Sequence, residues 1–340
     1  MAATETTNAV PIVDFSAFTT DGDRRERLAT AREISSACEQ YGFLVVAEHG
    51  VPGQSIAAMR DVSAAFFALP AEEKLKVVAT RAANAPRGYV PFASKSHSAD
   101  AAAPPDLMEK FIVSRFETAE EGLASGYRAG LEEWFAPNRW PADPPEMQLI
   151  WRRYYVDATR LARRLMSAFA LALDLPEDWF EDKLDHHFSN LAANHYPPQR
   201  KPPAPGQLRI AGHTDTGSLT LIPQDGAQGG LEIQHATSGE WLPVPSIPGT
   251  FVVNIGDLMA RWTNDRWVST HHRVVNPPQS LASTGRLSIP FFLQPNFDAT
   301  IECLPSCCSD EQPAKYEPVT SGEWATRVTR PFDPASLPPS

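Results

Sequence analysis

The sequence lacks the features that direct proteins to nucleic acid or to a membrane. Its 30 Lys and Arg residues are outnumbered by 41 Asp and Glu, for a net charge of −11, and no run rich in Lys and Arg stands out. No stretch approaches the roughly 18 consecutive apolar residues of a membrane-spanning helix, and the N-terminus has no basic segment followed by an apolar core. These absences predict a cytoplasmic protein whose partner is a small molecule, with no nucleic acid and no membrane.

Cysteine is also scarce, with four in 340 residues. Cys303, Cys307 and Cys308 cluster while Cys38 stands alone, and no second pair has the spacing of a zinc site. The pattern predicts reduced structural thiols. The chain has no internal repeat with the period of a solenoid or a propeller. Its length of 340 residues fits two domains or one large β-rich domain.

Helical patterns dominate the first half of the sequence, and short strand patterns dominate the second half. Amphipathic stretches at 23–42 and 53–70 predict helices, and the longest helical pattern runs through 144–176. Beyond this point short apolar runs alternate with turns rich in Pro and Gly, which is typical of an antiparallel sandwich or barrel. We therefore predict a mixed α/β, β-rich fold, divided into an N-terminal region of helices and strands (1–185), a strand core (186–310) and a C-terminal helix and tail (311–340).

The stretch HTDTGSLTLI places a histidine and an aspartate two positions apart at the start of a β-prone run. Side chains alternate faces along a strand, so His213 and Asp215 point the same way. In RWVSTHHRVV the more apolar alternate set contains His272, which should face the core, whereas Trp267 and His271 belong to the other set. Two imidazoles and one carboxylate on one face of a metal form the arrangement of non-heme Fe(II) oxygenases.

A second polar pair begins the strand pattern RLSIPFFLQ. Arg286 and Ser288 head a face that is otherwise largely apolar. A buried arginine needs an anionic partner, because an unpaired charge in a low-dielectric interior is costly. We expect an anionic co-substrate to chelate the metal and to extend its far carboxylate to Arg286, with Ser288 adding a hydroxyl donor.

The chain resembles the isopenicillin N synthase-like branch of the Fe(II)/2-oxoglutarate-dependent dioxygenases. It carries HTD at 213–215, HRV at 272–274, RLS at 286–288 and a YPP-type strand end in NHYPPQ. The likeness spans most of the chain, from VPIVDF and YGFLVVAEHGVP near the start to KYEPVTSGEW near the end. HxD alone is a weak signal, but these motifs together are highly specific.

That resemblance implies a double-stranded β-helix, or jelly roll, flanked by helices, with a non-heme dioxygenase N-terminal region ahead of the core. The implied activity is the oxidation of a small organic metabolite with Fe(II), 2-oxoglutarate and O2, which releases succinate and CO2. Hydroxylation is the expected outcome, while desaturation or ring closure needs only a different fate of the substrate radical. A role in secondary metabolism is expected.

The resemblance also assigns the residues of the site, three to the metal and four to the co-substrate. The chain departs from the family pattern at His195, where tyrosine is more usual, and at Gln199, where cysteine is common. Neither departure touches the metal ligands, but both lie at the edge of the co-substrate pocket. The assigned residues are His213, Asp215 and His272 for the metal, and Arg286, Ser288, Tyr196 and Asn194 for 2-oxoglutarate.

Three other functions fit part of the pattern. A relative of the same fold can be an oxidase that uses iron and O2 without 2-oxoglutarate, with Arg286 and Ser288 holding a carboxylate of its substrate. A His₂Asp zinc hydrolase uses the same ligands but leaves the buried arginine and serine without a task. A non-catalytic jelly-roll binding protein does not need a complete ligand set. The formation of succinate separates all of these from the favoured function.

Residues 84–111 form an aperiodic segment rich in Ala, Pro and Ser between a predicted helix and a predicted strand. Loops of this length are commonly lids or disordered segments. We favour a lid, because aromatic and basic side chains interrupt the small ones and can cover a partly apolar ligand. The candidate substrate residues are Arg87, Tyr89, Phe92 and Phe111 in this segment, and Phe292 on the Arg286 face.

Overall fold

The computed structural model describes residues 10–20, 22–79, 86–98, 100, 102–124, 134–226 and 229–328. Within these ranges the strands form a nine-stranded, a four-stranded and a two-stranded sheet. None of the helices described there combines the length and the apolar character that crossing a bilayer requires. The strand-rich second half that the sequence predicts is therefore present, although the first half also contributes strands.

Most strands are short, as the frequent Pro and Gly turns predict. In chain order they are β1 (Ile12–Asp14), β2 (Phe43–Ala47), β3 (Gly88–Val90), β4 (Glu109–Ser114), β5 (Asn190–Tyr196), β6 (Ile210–His213), β7 (Leu219–Pro223), β8 (Leu231–Gln234), β9 (Trp241–Pro243), β10 (Phe251–Ile255), β11 (His272–Val274), β12 (Arg286–Ser288), β13 (Phe291–Leu293), β14 (Thr300–Ile301) and β15 (Val319–Thr320). The nine-stranded sheet has the order β1-β2-β10-β7-β13-β5-β4-β3, with β12 also paired to β5. The four-stranded sheet has the order β6-β11-β8-β9.

The helices confirm the long helical patterns of the sequence. Helix α2 begins with a capping box, in which the Asp23 side chain accepts from the backbone of Glu26 and the Glu26 side chain accepts from the backbone of Asp23. The helices are α1 (Ser16–Thr19), α2 (Arg24–Gln40), α3 (Gly53–Phe67), α4 (Ala71–Leu75), α5 (Ala119–Ala124), α6 (Met147–Ala172), α7 (Asp257–Trp262) and α8 (Ser321–Val328).

The nine-stranded sheet is buried on both faces. On β2, Leu44 and Val46 belong to a large apolar cluster that includes residues of α2, α3 and α6. The alternate residues Phe43 and Val45 belong to a second cluster with Ile210 and other residues of the four-stranded sheet. We call the side toward the helices the outer face and the side toward the four-stranded sheet the inner face. Two sheets packed around a common interior agree with the predicted jelly roll.

One local expectation about the strand before His272 is wrong. The strand β11 starts only at His272, so the residues ahead of it do not alternate between two faces. Trp267, expected to point away from the core, is fully buried and packs edge-on against Phe169 of α6, with ring centroids 5.0 Å apart. Within the strand itself the prediction is confirmed, because His272 is buried and His271 is exposed.

Candidate active site

Two histidines from adjacent strands of the four-stranded sheet lie side by side. His213 ends β6, His272 begins β11, and the two are direct partners across this antiparallel pair. Their ring centroids are 4.3 Å apart, and the Nε2 atom of each lies 3.8 Å from Oδ1 of Asp215. One potential ligand atom from each residue therefore lies within 4.8 Å of the other two. The strand pairing itself brings the three predicted metal ligands together.

Hydrogen bonds to the backbone fix which ring nitrogen of each histidine faces Asp215. Nδ1 of His213 lies 2.9 Å from the carbonyl oxygen of Ala211, and Nδ1 of His272 lies 3.1 Å from that of Thr270. A carbonyl oxygen only accepts, so each Nδ1 carries a proton and donates it. The Nε2 lone pairs are left pointing to the centre, which is the orientation that metal-binding imidazoles need.

The carboxylate of Asp215 is held through one of its two oxygens. Oδ2 accepts from Thr220 Oγ1 at 2.6 Å and from Asn254 Nδ2 at 2.8 Å, which leaves Oδ1 directed at the histidines. Burial raises the pKa of Asp215, but the His272 and His213 imidazoles and these hydrogen bonds outweigh it and lower the pKa. Burial and the neighbouring His272 hold the pKa of His213 well below its usual range. One carboxylate and neutral imidazoles form a donor set that fits Fe(II).

The four residues assigned to 2-oxoglutarate face each other across one strand pair. β12 pairs with β5 so that Arg286 is opposite Tyr196 and Ser288 is opposite Asn194, which places all four side chains on the inner face. The Arg286 guanidinium carbon lies 5.2 Å from the centre of the Tyr196 ring. Among the described residues, neither Nη1 of Arg286 nor Oδ1 of Asn194 has a hydrogen-bond partner, and both atoms are buried. An unpartnered buried guanidinium nitrogen is costly, so this pocket fits a bound carboxylate.

A second arginine near Tyr196 was not predicted from the sequence. Arg209 immediately precedes β6 and is 1% exposed. Its guanidinium lies 5.6 Å from the centre of the Tyr196 ring and donates to the carbonyl oxygen of Thr284 at 3.3 Å. Burial and the charge of Arg286 lower its pKa to about 10. A single arginine ahead of a β-prone run looks like an exposed charge in the sequence, so only the fold reveals it.

The candidate substrate residues divide between the two faces of the sheet. Phe292 lies on the inner face, because β13 pairs it with Thr220, the residue that donates to the carboxylate of the metal site. Tyr89 and Phe111 are opposite each other on β3 and β4 and belong to the outer cluster. The prediction that Tyr89 and Phe111 line the substrate cavity is therefore wrong. The alternation of β4 turns Phe111 to the helices and Lys110 to the inner face.

The other two candidates are a buried structural residue and a surface residue. Arg87 is 1% exposed and donates to the carbonyl oxygens of Pro86 at 3.0 Å and Trp134 at 3.1 Å. Burial lowers its pKa to about 10. Phe92 is 42% exposed. The structure thus gives Arg87 backbone partners in place of the expected ligand.

The loop between β3 and β4 packs on the strand that carries His213. Asp106 accepts from the backbone nitrogen of Ala211 at 2.9 Å and, through its other oxygen, from Nδ1 of His97 at 2.5 Å. The ring centroid of His97 lies 5.0 Å from that of His213. The predicted segment extends over 84–111, of which residues 84, 85, 99 and 101 lie outside the described part. Its described residues place His97 beside the candidate ligand His213 and Asp106 on the backbone of the same strand.

Two families match the chain, one in each half. Residues 10–143 match the family described as "non-haem dioxygenase in morphine synthesis N-terminal". Residues 187–295 match the family described as "2OG-Fe(II) oxygenase superfamily". The second match contains the two histidines, the aspartate and the Arg-x-Ser pair of the inner face.

Similar proteins extend over nearly the whole chain. A 2-oxoglutarate-Fe(II) type oxidoreductase, hxnY of Emericella nidulans, is 35% identical over 92% of this chain and 87% of its own length. The validamycin A dioxygenase of Streptomyces hygroscopicus subsp. limoneus is 33% identical over 87% of this chain and 78% of its own. The structure of Neurospora crassa T7H in complex with alpha-KG and thymine superimposes with a TM-score of 0.81 at 31% identity, covering 96% of this chain and 97% of that one.

Proposed function

This chain belongs to the superfamily of 2-oxoglutarate- and Fe(II)-dependent oxygenases, and on that premise we propose how its inner face binds both groups to oxidise a small organic molecule. As a member it is an oxidoreductase that uses Fe(II), 2-oxoglutarate and O2. We assign the iron to His213, Asp215 and His272. The distal carboxylate of 2-oxoglutarate is assigned to Arg286 and Ser288.

The protein's part in this chemistry is to hold and orient the reacting groups. When bound, the iron supplies the redox chemistry by which O2 converts 2-oxoglutarate to succinate and CO2 while the substrate loses two electrons at a C–H bond. Thr220 and Asn254 engage one oxygen of Asp215, so that the other oxygen serves as a single ligand atom. The backbone hydrogen bonds at Nδ1 of the two histidines keep both rings in the ligand tautomer.

The observation that carries the proposal is the guanidinium nitrogen of Arg286 that has no partner among the described residues and lies on the inner face, the face from which Thr220 and Asn254 hold Asp215. A planar guanidinium can bind a carboxylate through two parallel hydrogen bonds, whereas a single ammonium cannot. Tyr196 packs against this guanidinium, and Ser288 and Asn194 face each other in the adjacent pair. These residues orient the co-substrate so that its keto acid end reaches the metal.

The substrate is proposed to bind between Phe292 and the loop that carries His97 and Asp106. This loop packs on β6 beside His213 and would exclude water from the reacting centre. Hydroxylation is the expected outcome, with desaturation or ring closure as the alternative. Thymine in the Neurospora crassa neighbour supports a small-molecule substrate. The cytoplasmic location and the role in secondary metabolism stay predictions.

The test is to measure succinate and O2 uptake with purified protein while Fe(II) and 2-oxoglutarate are omitted one at a time. We expect succinate formation that requires both, because the iron and 2-oxoglutarate are assigned to neighbouring residues of one site. Oxygen uptake that continues without 2-oxoglutarate would instead indicate the oxidase alternative. Hydrolysis supported by Zn(II), with no succinate under any condition, would indicate the zinc hydrolase.

A further inference from the structure

Lys110 is an inner-face cation that none of the roles above uses. On the β4–β5 pair it is opposite Asn194, and Asn194 is in turn opposite Ser288 on β12. Its neighbour on the other side is Val90 of β3. The side chain therefore projects between the two sheets, in the same cross-strand row as the co-substrate pocket.

The ammonium of Lys110 has no hydrogen bond and no ion pair within the ranges that the structure describes. The negative charges that act on it are those of Asp106 and Asp215. Both carboxylates already have other partners: Asp106 accepts from His97 and the backbone of Ala211, and Asp215 belongs to the metal site. A partly buried lysine without a partner is uncommon, because the desolvation of its charge is not offset.

The charged side chains that act on Lys110 are Lys95, Asp106 and Asp215. Burial first, and then the charge of Lys95, lower the pKa of Lys110 to about 8, while Asp106 and Asp215 raise it. A ligand with one negative charge would stabilise the charged form of Lys110.

The co-substrate does not account for this cation. Its distal carboxylate is assigned to Arg286 and Ser288, and Ser288 lies two strands away from Lys110. Neighbouring strands are about 4.8 Å apart, so the two backbone positions are separated by about 10 Å. Lys110 lies next to Asn194 at the edge of the co-substrate pocket, one strand further from the distal carboxylate than Asn194 is.

We propose that Lys110 binds a carboxylate of the organic substrate, so that the enzyme acts on small monoanionic acids. This inference rests on the proposed function and names its substrate class. Phe292 faces the same interior and packs against the apolar part of the acid. Oδ1 of Asn190, directly opposite Phe292 on β5, is buried without a partner among the described residues, so it accepts from an N–H or O–H of the substrate.

Matched acids and amides test the proposal without turnover. Phenylacetate with phenylacetamide and benzoate with benzamide serve as probes, and calorimetry measures their binding to protein loaded with Mn(II) and 2-oxoglutarate. Each pair has the same shape and differs in charge. We expect at least one acid to bind about 10- to 100-fold more tightly than its amide, the range of a hydrogen bond between charged groups. Acids that bind should also accelerate succinate formation by the iron-loaded enzyme.

Three variants separate charge from structure. Lys110→Met should weaken the acid to the level of its amide while the dissociation constant of 2-oxoglutarate changes less than about threefold. Lys110→Arg keeps the charge and should keep the preference for the acid. Lys201→Met removes an exposed lysine as the matched control and should change neither ligand's affinity.

The outcomes distinguish this inference from the function on which it rests. Equal binding of every acid and its amide in the wild type overturns the inference. Loss of 2-oxoglutarate binding in Lys110→Met, with acid binding retained, also overturns it, because the ammonium then serves the co-substrate. Failure of 2-oxoglutarate to bind the metal-loaded wild type contradicts the proposed function instead, whichever acids bind.

Discussion

Two charged side chains on opposite faces of the same sheet, the buried Glu109 and the half-buried Arg286, differ in their partners. On the outer face, Glu109 accepts hydrogen bonds from Lys74 Nζ at 2.7 Å, from the Tyr89 hydroxyl at 2.6 Å and from His195 Nδ1 at 2.7 Å. On the inner face, Nη1 of Arg286 has no partner in the part of the chain that the structure describes. The chain thus satisfies one charge completely and leaves the other exposed to a ligand.

This difference distinguishes the structural cluster around Glu109 from the ligand site around Arg286. Burial raises the pKa of Glu109, yet the hydrogen bonds from His195, Lys74 and Tyr89 outweigh it and lower the pKa. That cluster ties β3, β4 and β5 to the helix layer behind the co-substrate pocket. Arg286 contacts the Tyr196 ring, but its Nη1 gains no hydrogen bond from the described residues, so a bound anion would offset the desolvation of that nitrogen. A charged side chain with a buried nitrogen that the described residues do not pair is therefore the better indicator of a ligand.

The largest effect is expected at the metal ligands. His272→Ala should abolish both iron binding and succinate formation, and His213→Ala and Asp215→Ala should do the same, since each removes one of three ligands. His271→Ala is the matched control, because this neighbour is exposed and points away. Iron content and succinate are the measurements. Loss of iron in His271→Ala with retention in His272→Ala would contradict the assigned strand register.

On the outer face the expected effect is on stability. Glu109→Gln leaves the buried Lys74 without its counter-charge, which should lower the free energy of unfolding by about 3–5 kcal/mol in urea denaturation. Because the pKa of Glu109 is lowered in the folded protein, its contribution is present above the ordinary carboxyl pKa and lost as the pH falls through the folded value. Glu73→Gln, which removes an exposed ion pair with Lys76, should cost at most about 1 kcal/mol. Equal costs for the two variants would contradict the scaffold role of Glu109.

Two phenylalanines test the division of the faces within one experiment. Phe111 is fully buried in the outer cluster, so Phe111→Ala should lower the free energy of unfolding by about 3–5 kcal/mol. Phe292→Ala should cost less stability but change the ratio of product to succinate once a substrate is known. Urea denaturation measures the free energy of unfolding of both variants, and product analysis measures their ratio of product to succinate. The division fails if Phe292→Ala leaves that ratio unchanged and Phe111→Ala changes it.

The smallest of these effects is expected from Arg286→Lys, which replaces the planar guanidinium group by a single ammonium. Arg286→Lys should raise the 2-oxoglutarate concentration needed for half-maximal succinate formation by about 10- to 100-fold, because the charge survives and the bidentate geometry does not. The iron affinity should remain near that of the wild type. An unchanged requirement for 2-oxoglutarate would show that the distal carboxylate binds elsewhere.

The three candidate metal ligands could be predicted from the sequence, but strand alternation explains the prediction only in part. His213 and His272 lie on strands, whereas Asp215 lies two residues beyond the end of β6, and the residues ahead of His272 do not alternate between two faces. The structure then pairs His213 with His272 directly. The Arg286–Ser288 pair follows from the same alternation, since the two residues are two positions apart on a strand.

The substrate side could not be predicted in the same way. β3 has three residues and β4 begins with EKF, so neither shows an apolar period that tells one face from the other. The pairing of β4 with β5 decides that Lys110 turns inward while Glu109 and Phe111 turn outward. That pairing joins residues 76 to 86 positions apart in the sequence, and only the assembled sheet reveals it.

The most direct test of the account compares the binding of 2-oxoglutarate with that of 2-oxobutyrate, which has the keto acid end but no distal carboxylate. Calorimetry with Fe(II)-loaded protein in the absence of O2 measures both, in the wild type and in Arg286→Met. We predict that the wild type binds 2-oxoglutarate at least about tenfold more tightly than 2-oxobutyrate and that Arg286→Met removes the difference. Equal affinities in the wild type, or a preference that survives in Arg286→Met, would contradict the claim that the unpaired arginine of the inner face marks the co-substrate site.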